Sequence, residues 1–314
     1  MILRSIAKML LQEHRHRKIA GRVLCLGPQL VPMPRGEVDA LFASTPAEAA
    51  EAMAAWRRDG ADPTPVADEY FFRKFPIKKL DSLDVVEGYG GTIIHDLNTP
   101  IPRNLHGKFD FIVDGGTFDH LVNVGIAFES VIQMLKPGGR VLHYNAASGY
   151  LGAAYVTFGP DLFYDYYIVN RFADCRVYVV RETAPNPNAP WDVFYLPDGR
   201  TKQLNSGKHQ MVVCLAEKAD DSVSDAIPVE YSYRSPELRE QYAEARARTI
   251  KSKRPLLKCA RPRLAVTRER MIRAKLEAAY VHKRYKAGKF DWGKLKRNIQ
   301  RHQGGTSYVY LGRL

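Results

Sequence analysis

Four short apolar runs in the first 114 residues each close on a glycine or an aspartate, and helical patterns lie between the first and second of them and after the fourth. The runs are Gly21-Arg-Val-Leu-Cys-Leu-Gly27, Lys79-Leu-Asp-Ser-Leu-Asp84, Thr92-Ile-Ile-His-Asp96 and Phe109-Asp-Phe-Ile-Val-Asp114. Short runs of this kind, bounded by turn residues, read as buried strands. Residues 46–59 are alanine-rich and helical, and residues 68–76 carry Tyr70, Phe71, Phe72 and Phe75 toward a packed face. Residues 121–135 have helical apolar spacing, and Lys136-Pro-Gly-Gly139 is expected to end that helix. Further strands are expected over 140–144, 176–181 and 210–216, with an inserted hairpin at 193–203 turning on Asp198-Gly199. Strands alternating with helices imply a parallel sheet. The expectation is an α/β fold: a Rossmann-like, seven-stranded, mostly parallel sheet flanked by helices, with a basic helical C-terminal extension.

In an open α/β sheet, ligands sit beyond the carboxyl ends of the strands, where strand order reverses. The strand-end residues are therefore the candidate binding groups. Gly27 lets a ligand approach the backbone. Asp84 is suited to a ribose diol and Asp96 to an adenine amino group, because an ionised carboxylate only accepts hydrogen bonds. Asp114, Gly115 and Thr117 follow the fourth run. An isolated aspartate after a strand ordinarily serves as a turn residue or helix cap, so the series carries more information than any one member. His120 and His143 are the candidate general bases. Asn145, Tyr150, Tyr155 and Phe158 are candidate acceptor-binding residues, the last three in the densely aromatic stretch 150–168.

The stretch from Phe109 through Asp114-Gly-Gly-Thr-Phe-Asp-His120, followed by Met134-Leu-Lys-Pro-Gly-Gly-Arg140, resembles class I S-adenosylmethionine-dependent methyltransferases. Asp119 stands where those proteins usually carry glutamate. Leu24-Cys-Leu-Gly-Pro-Gln29, Leu80-Asp-Ser-Leu-Asp84, His95-Asp-Leu-Asn98 and Phe158-Gly-Pro-Asp-Leu-Phe163 are similar to a bacterial subgroup associated with polysaccharide and surface-glycan gene clusters. The resemblance spans residues 20–182. It implies S-adenosyl-L-methionine as cofactor and O-methylation of a glycan-related or small-molecule acceptor. Typical members have a G-x-G-x-G loop after the first strand, whereas this chain reads Gly27-Pro-Gln-Leu-Val-Pro. Pro28 removes a backbone donor, which leaves room for two other readings. One is a non-catalytic binding or scaffold protein on the same fold. The other is an RNA methyltransferase using a basic tail.

Charge divides the chain. Residues 231–314 hold 23 Lys+Arg against 6 Asp+Glu, a net of +17; with +13 for the whole chain, residues 1–230 carry −4. A single-sign block suits an anionic partner, either a membrane surface or nucleic acid. Helices are expected from Ser235-Pro236 to about residue 251 and from Thr267 to about residue 286, with basic–aromatic interleaving over 280–292. Residues 1–20 read as an amphipathic helix, 21–219 as the methyltransferase-like domain and 220–314 as the extension. No run approaches the length of a membrane span. The four widely spaced cysteines show no metal-ligand pairing. A cytoplasmic location is expected, extending to the periphery of the inner membrane face.

Overall fold

A computed structural model of the chain describes residues 1–88, 90–184, 189–200, 204, 208–250, 254–260 and 308–314. The elements run α1 (Arg4–His16), β1 (Gly21–Leu26), β2 (Val31–Pro34), α2 (Arg35–Phe42), α3 (Pro46–Arg58), β3 (Pro65–Val66) and α4 (Asp68–Phe72). Then come β4 (Ile77–Asp84), β5 (Ile93–Ile94), β6 (Phe109–Asp114), α5 (Val124–Met134), β7 (Leu135–Ser148) and α6 (Pro160–Val169). The chain ends with β8 (Asp174–Glu182), β9 (Trp191–Leu196), β10 (Gln210–Glu217), α7 (Pro236–Ile250) and β11 (Val309–Arg313).

The main sheet has the order β11-β9-β8-β10-β7-β6-β1-β4-β5. From β5 to β7 all pairings are parallel, and from β7 to β11 all are antiparallel. Among the described residues this sheet has nine strands where seven were expected. The two additions are β9, which is the first arm of the expected hairpin, and β11, which pairs with it from the far end of the chain. The other arm, residues 201–203, lies outside the described residues, as do the second tail helix and the interleaved segment 280–292. No helix among the described residues is long and apolar enough to cross a membrane.

The central strands read as continuous apolar runs because both faces are covered. Leu24, Leu26, Ile112, Val212 and Cys214 point to one face, where α5 and α6 pack through Phe128, Phe163 and Tyr167. Their alternates Val23, Cys25, Phe111, Val113 and Val213 point to the other, against α1 and α4 through Ile6, Leu10, Phe71 and Phe72. Full burial of each such side chain contributes about 1.5–3 kcal/mol.

Local chemistry sets several boundaries. The Thr45 side chain accepts from Glu48 N at 3.1 Å while Glu48 Oε2 accepts from Ser44 N at 2.8 Å, capping α3 with Pro46 in its first turn. α5 stops at Met134, two residues before the expected Lys136, because Leu135 already pairs with Phe109 in the sheet.

The expected division at residues 20 and 220 is crossed by buried charges. Glu13 of α1 pairs with Arg140 of β7 and with Arg254, and Arg254 also pairs with Asp174 of β8; all four side chains are buried. α1, β11 and residues 254–260 therefore belong to the packing of the sheet itself.

Candidate functional site

The chain passes from β1 outward to β4 and β5, then crosses to β6 and β7 on the other side of β1. In open α/β sheets such a reversal is where a ligand crevice forms, beyond the carboxyl ends of the strands, here those of β1 and its two neighbours. Gly27 stands at its centre with φ +71°, a conformation that L side chains rarely adopt. Its N–H donates to Leu83 O at 2.7 Å. A Cβ at this position would face Thr117 Oγ1 at 3.7 Å and Asp84 Oδ2 at 4.0 Å. Gly27, Asp84 and Thr117, from three separate segments, thus converge.

Each flanking residue is oriented. Thr117 Oγ1 donates to Leu26 O at 2.6 Å, and its N–H donates to Asp114 Oδ1 at 2.9 Å. Asp84 Oδ1 accepts from Val86 N at 3.1 Å. Its Oδ2 accepts no hydrogen bond among the described residues and stays available to a ligand. The Pro28 ring lies toward Gly90, where an added Cβ would be 3.9 Å from its Cγ.

Asp114 and His143 depart from their expected roles. Asp114 is fully buried, and its carboxylate is consumed. Oδ1 accepts from Thr117 N and Phe118 N; Oδ2 accepts from His143 Nδ1 at 2.8 Å and Asn145 Nδ2 at 2.6 Å. His143 is equally buried. Its Nδ1 is bound to that carboxylate, and the Tyr167 hydroxyl lies 2.5 Å from its Nε2. Burial holds that hydroxyl far above its ordinary pKa, so it remains a donor. No nitrogen of His143 is free to take a proton from an acceptor. Asn145 is also spent: Oδ1 accepts from Asp119 N at 3.3 Å.

Gly115 is not an open cradle either. A Cβ there would meet Gln29 Oε1 at 2.0 Å, because the Gln29 amide lies across it and donates to Leu26 O and Gly27 O. The Met1 nitrogen donates to Gln29 Oε1 at 2.6 Å and to Gly115 O at 2.8 Å. Gln29 closes this half of the crevice, and only the tertiary fold reveals it.

Asp96 serves its own loop. Its Oδ1 accepts from Asn98 N and Nδ2, both at 2.9 Å, and Asn98 Oδ1 in turn accepts from Val122 N and Asn123 N just before α5. β5 is only two residues long, so Asp96 falls past the strand rather than ending it.

Asp119 is a buried carboxylate that the sequence marked only as a replacement within a motif. Oδ2 accepts from Ala146 N at 3.2 Å, while Oδ1 is buried without a hydrogen-bond partner. Burial pushes its carboxyl above the ordinary range, and the Asp114 charge adds to that. His120 is exposed, with Nε2 3.8 Å from Asp119 Oδ1. The Asp119 carbonyl accepts from Tyr155 N and Val156 N, which holds the aromatic loop at the crevice. Tyr155 projects its ring into solvent there. Tyr150 and Phe158 go elsewhere. Tyr150 Oη donates to Glu182 Oε1 at 3.0 Å, and Phe158 is buried against Phe163.

No protein-family model matches the chain, and no curated protein matches it. Solved structures with a similar fold include the CMeT domain of the citrinin polyketide synthase, at 11% identity and TM-score 0.36 over 68% of this chain and 52% of that one. They include Haemonchus contortus phosphoethanolamine N-methyltransferase 2, at 12% identity and TM-score 0.38 over 69% and 53%. The N-methyltransferase NodS from Bradyrhizobium japonicum matches at 12% identity and TM-score 0.36 over 68% and 86%. The chain spans about half the length of the first two.

Proposed function

We propose that this chain is an S-adenosylmethionine-dependent methyltransferase acting on a hydroxyl of a glycan-related or small-molecule acceptor. The observation that carries this reading is Gly27, held in the left-handed region between a free Asp84 Oδ2 and Thr117. The residues present fit the cofactor. Asp84 would accept from the ribose diol, and Gly27 would let the nucleoside approach the backbone. Asp96, whose Oδ2 has no partner among the described residues, would take the adenine amino group. Asp119, with its unpartnered buried oxygen, would face the cationic amino-acid end. Acidic groups at one rim suit a ligand bearing positive charge.

When bound, the cofactor supplies a methyl group already activated on a sulfonium. The chain has to align the acceptor and receive its proton. His120 Nε2, 3.8 Å from Asp119 Oδ1, would receive that proton. Tyr155 would pack on the acceptor. His143, Asp114 and Tyr167 act at one remove, fixing Asn145 and through it the Asp119 backbone. Calorimetric titration with S-adenosylmethionine tests the reading; saturable binding supports it, and no heat at about 1 mM, corresponding to less than about 4 kcal/mol, overturns it.

Gln29 across Gly115 favours a second reading, in which the crevice binds a nucleoside without turnover. Methyl transfer to any hydroxyl acceptor eliminates it. The +17 charge of residues 231–314 supports an anionic partner, membrane surface or nucleic acid, and a cytoplasmic, membrane-peripheral setting. Deletion of residues 261–307 that left vesicle and RNA binding unchanged would end that part of the proposal.

A further inference from the structure

A pocket of about 380 Å³ opens between α6, the turn after β9, residues 231–234 and α7, and no strand-end residue of the crevice lines it. Four guanidinium groups reach it, from Arg200, Arg234, Arg239 and Arg246, against two carboxylates, Asp165 and Asp198. Two of the four are committed. Arg234 forms a buried ion pair with Asp165 and lies over the Tyr242 ring at 3.4 Å. Arg200 pairs with Asp198 at 3.0 Å and covers the Tyr231 ring at 3.9 Å.

The other two carry no ion pair with an acid among the described residues: Arg239 lies over the Tyr231 ring at 5.4 Å, and Arg246 Nε is buried with no hydrogen-bond partner. They sit seven residues apart on α7, two turns along one stripe, with Ala243 between them. Ala243 and Ala247 line the same pocket, and their small side chains leave the space that larger ones would fill. The result is an open cavity with two uncompensated positive charges, set by helix spacing on one side and by locked Arg–Tyr pairs on the other.

We infer that this pocket binds a phosphate dianion, free or as the monoester of a small sugar. Two guanidinium forks match both the charge and the oxygen geometry of phosphate. The volume lies toward the small end of ligand sites, roughly 300–1,000 Å³, which suits a ligand of sugar-phosphate size or less. The inference does not depend on what the strand-end crevice binds.

The test is calorimetry on the full chain with inorganic phosphate, a hexose phosphate and the free hexose. Both phosphates are expected to bind and the free hexose is not. Tighter binding of the hexose phosphate assigns the site to the ester; equal affinity assigns it to the free anion. Arg239→Gln and Arg246→Gln are each expected to weaken binding by about tenfold, the loss of one charge-assisted hydrogen bond. Ala243→Trp starts from an exposed position on α7 and leaves every charge in place; it is expected to abolish binding by filling the space. Absence of phosphate binding by the folded wild-type chain would overturn the inference. So would affinity unchanged in all three variants.

Discussion

Asp114 accepts a hydrogen bond from His143 Nδ1 at 2.8 Å, with both side chains fully buried beneath the crevice. The pair links β6 to β7, and Tyr167 of α6 extends it on the far ring nitrogen. A carboxylate with both oxygens used and a histidine with both nitrogens used form a scaffold, not a proton-transfer site.

Asp114→Ala is therefore expected to destabilise the fold by about 3–5 kcal/mol, because it strands His143, Asn145 and two backbone N–H groups without acceptors. Tyr167→Phe removes one partner and should cost about 1–3 kcal/mol. Urea denaturation measures both. Asp114→Ala with wild-type stability would mean that the network does not hold β6 and β7 as described.

Gly27→Ala places a methyl group at φ +71°. The nearest atom is 3.7 Å away, so no clash is expected in the free protein. The left-handed conformation should cost about 1–2 kcal/mol of stability. Affinity for S-adenosylhomocysteine should fall by about tenfold or more, since the methyl enters the space reserved for ligand. Unaltered affinity in a folded variant would show that ligand does not approach Gly27.

Glu13 makes the fold sensitive to acid. Burial raises its carboxyl, but Arg254 and Arg140 more than offset this and hold it below the ordinary value of 4.5. A group whose folded pKa is depressed stabilises the fold above its unfolded pKa and loses that contribution as pH falls through the folded value. Stability should therefore drop in the window at and below pH 4.5. Glu13→Gln should remove that part of the pH slope and cost about 3–5 kcal/mol near neutral pH by leaving two buried cations underpaired. Denaturation curves from pH 7 down to about pH 3 check it; an unchanged slope in the variant would assign the acid sensitivity to other carboxylates.

The sheet was legible where its signal is local. Phe109–Asp114 reads as a strand because both faces are covered, which makes Phe111, Ile112 and Val113 a continuous apolar run. β11 escaped the count because it pairs with β9 from more than a hundred positions away, while β9, expected as an arm of an inserted hairpin, joins the main sheet by pairing with β8. Gly27 and Asp84 were readable as strand-end residues, and the structure brings them together. The role of His143 was not readable. Alternation in β7 shows that it points to a face, but only the packing of Phe163 and Tyr167 shows that the face is closed. Asp96 was expected to end a strand, but β5 stops at Ile94 and Asn98 engages only the Asp96 Oδ1 locally. Gln29 gave no signal at all, since its contact with Gly115 spans two loops.

Among the described residues, Asp84 is the strand-end carboxylate that keeps an oxygen open toward Gly27. Calorimetry of the full chain with S-adenosylhomocysteine, comparing wild type with Asp84→Ala, tests it most directly. The predicted result is saturable binding by wild type and a loss of about 1.5–3 kcal/mol in the variant, roughly tenfold to a hundredfold in affinity, with little change in stability. Equal affinity in the two proteins, or no binding by the folded wild type, would contradict it.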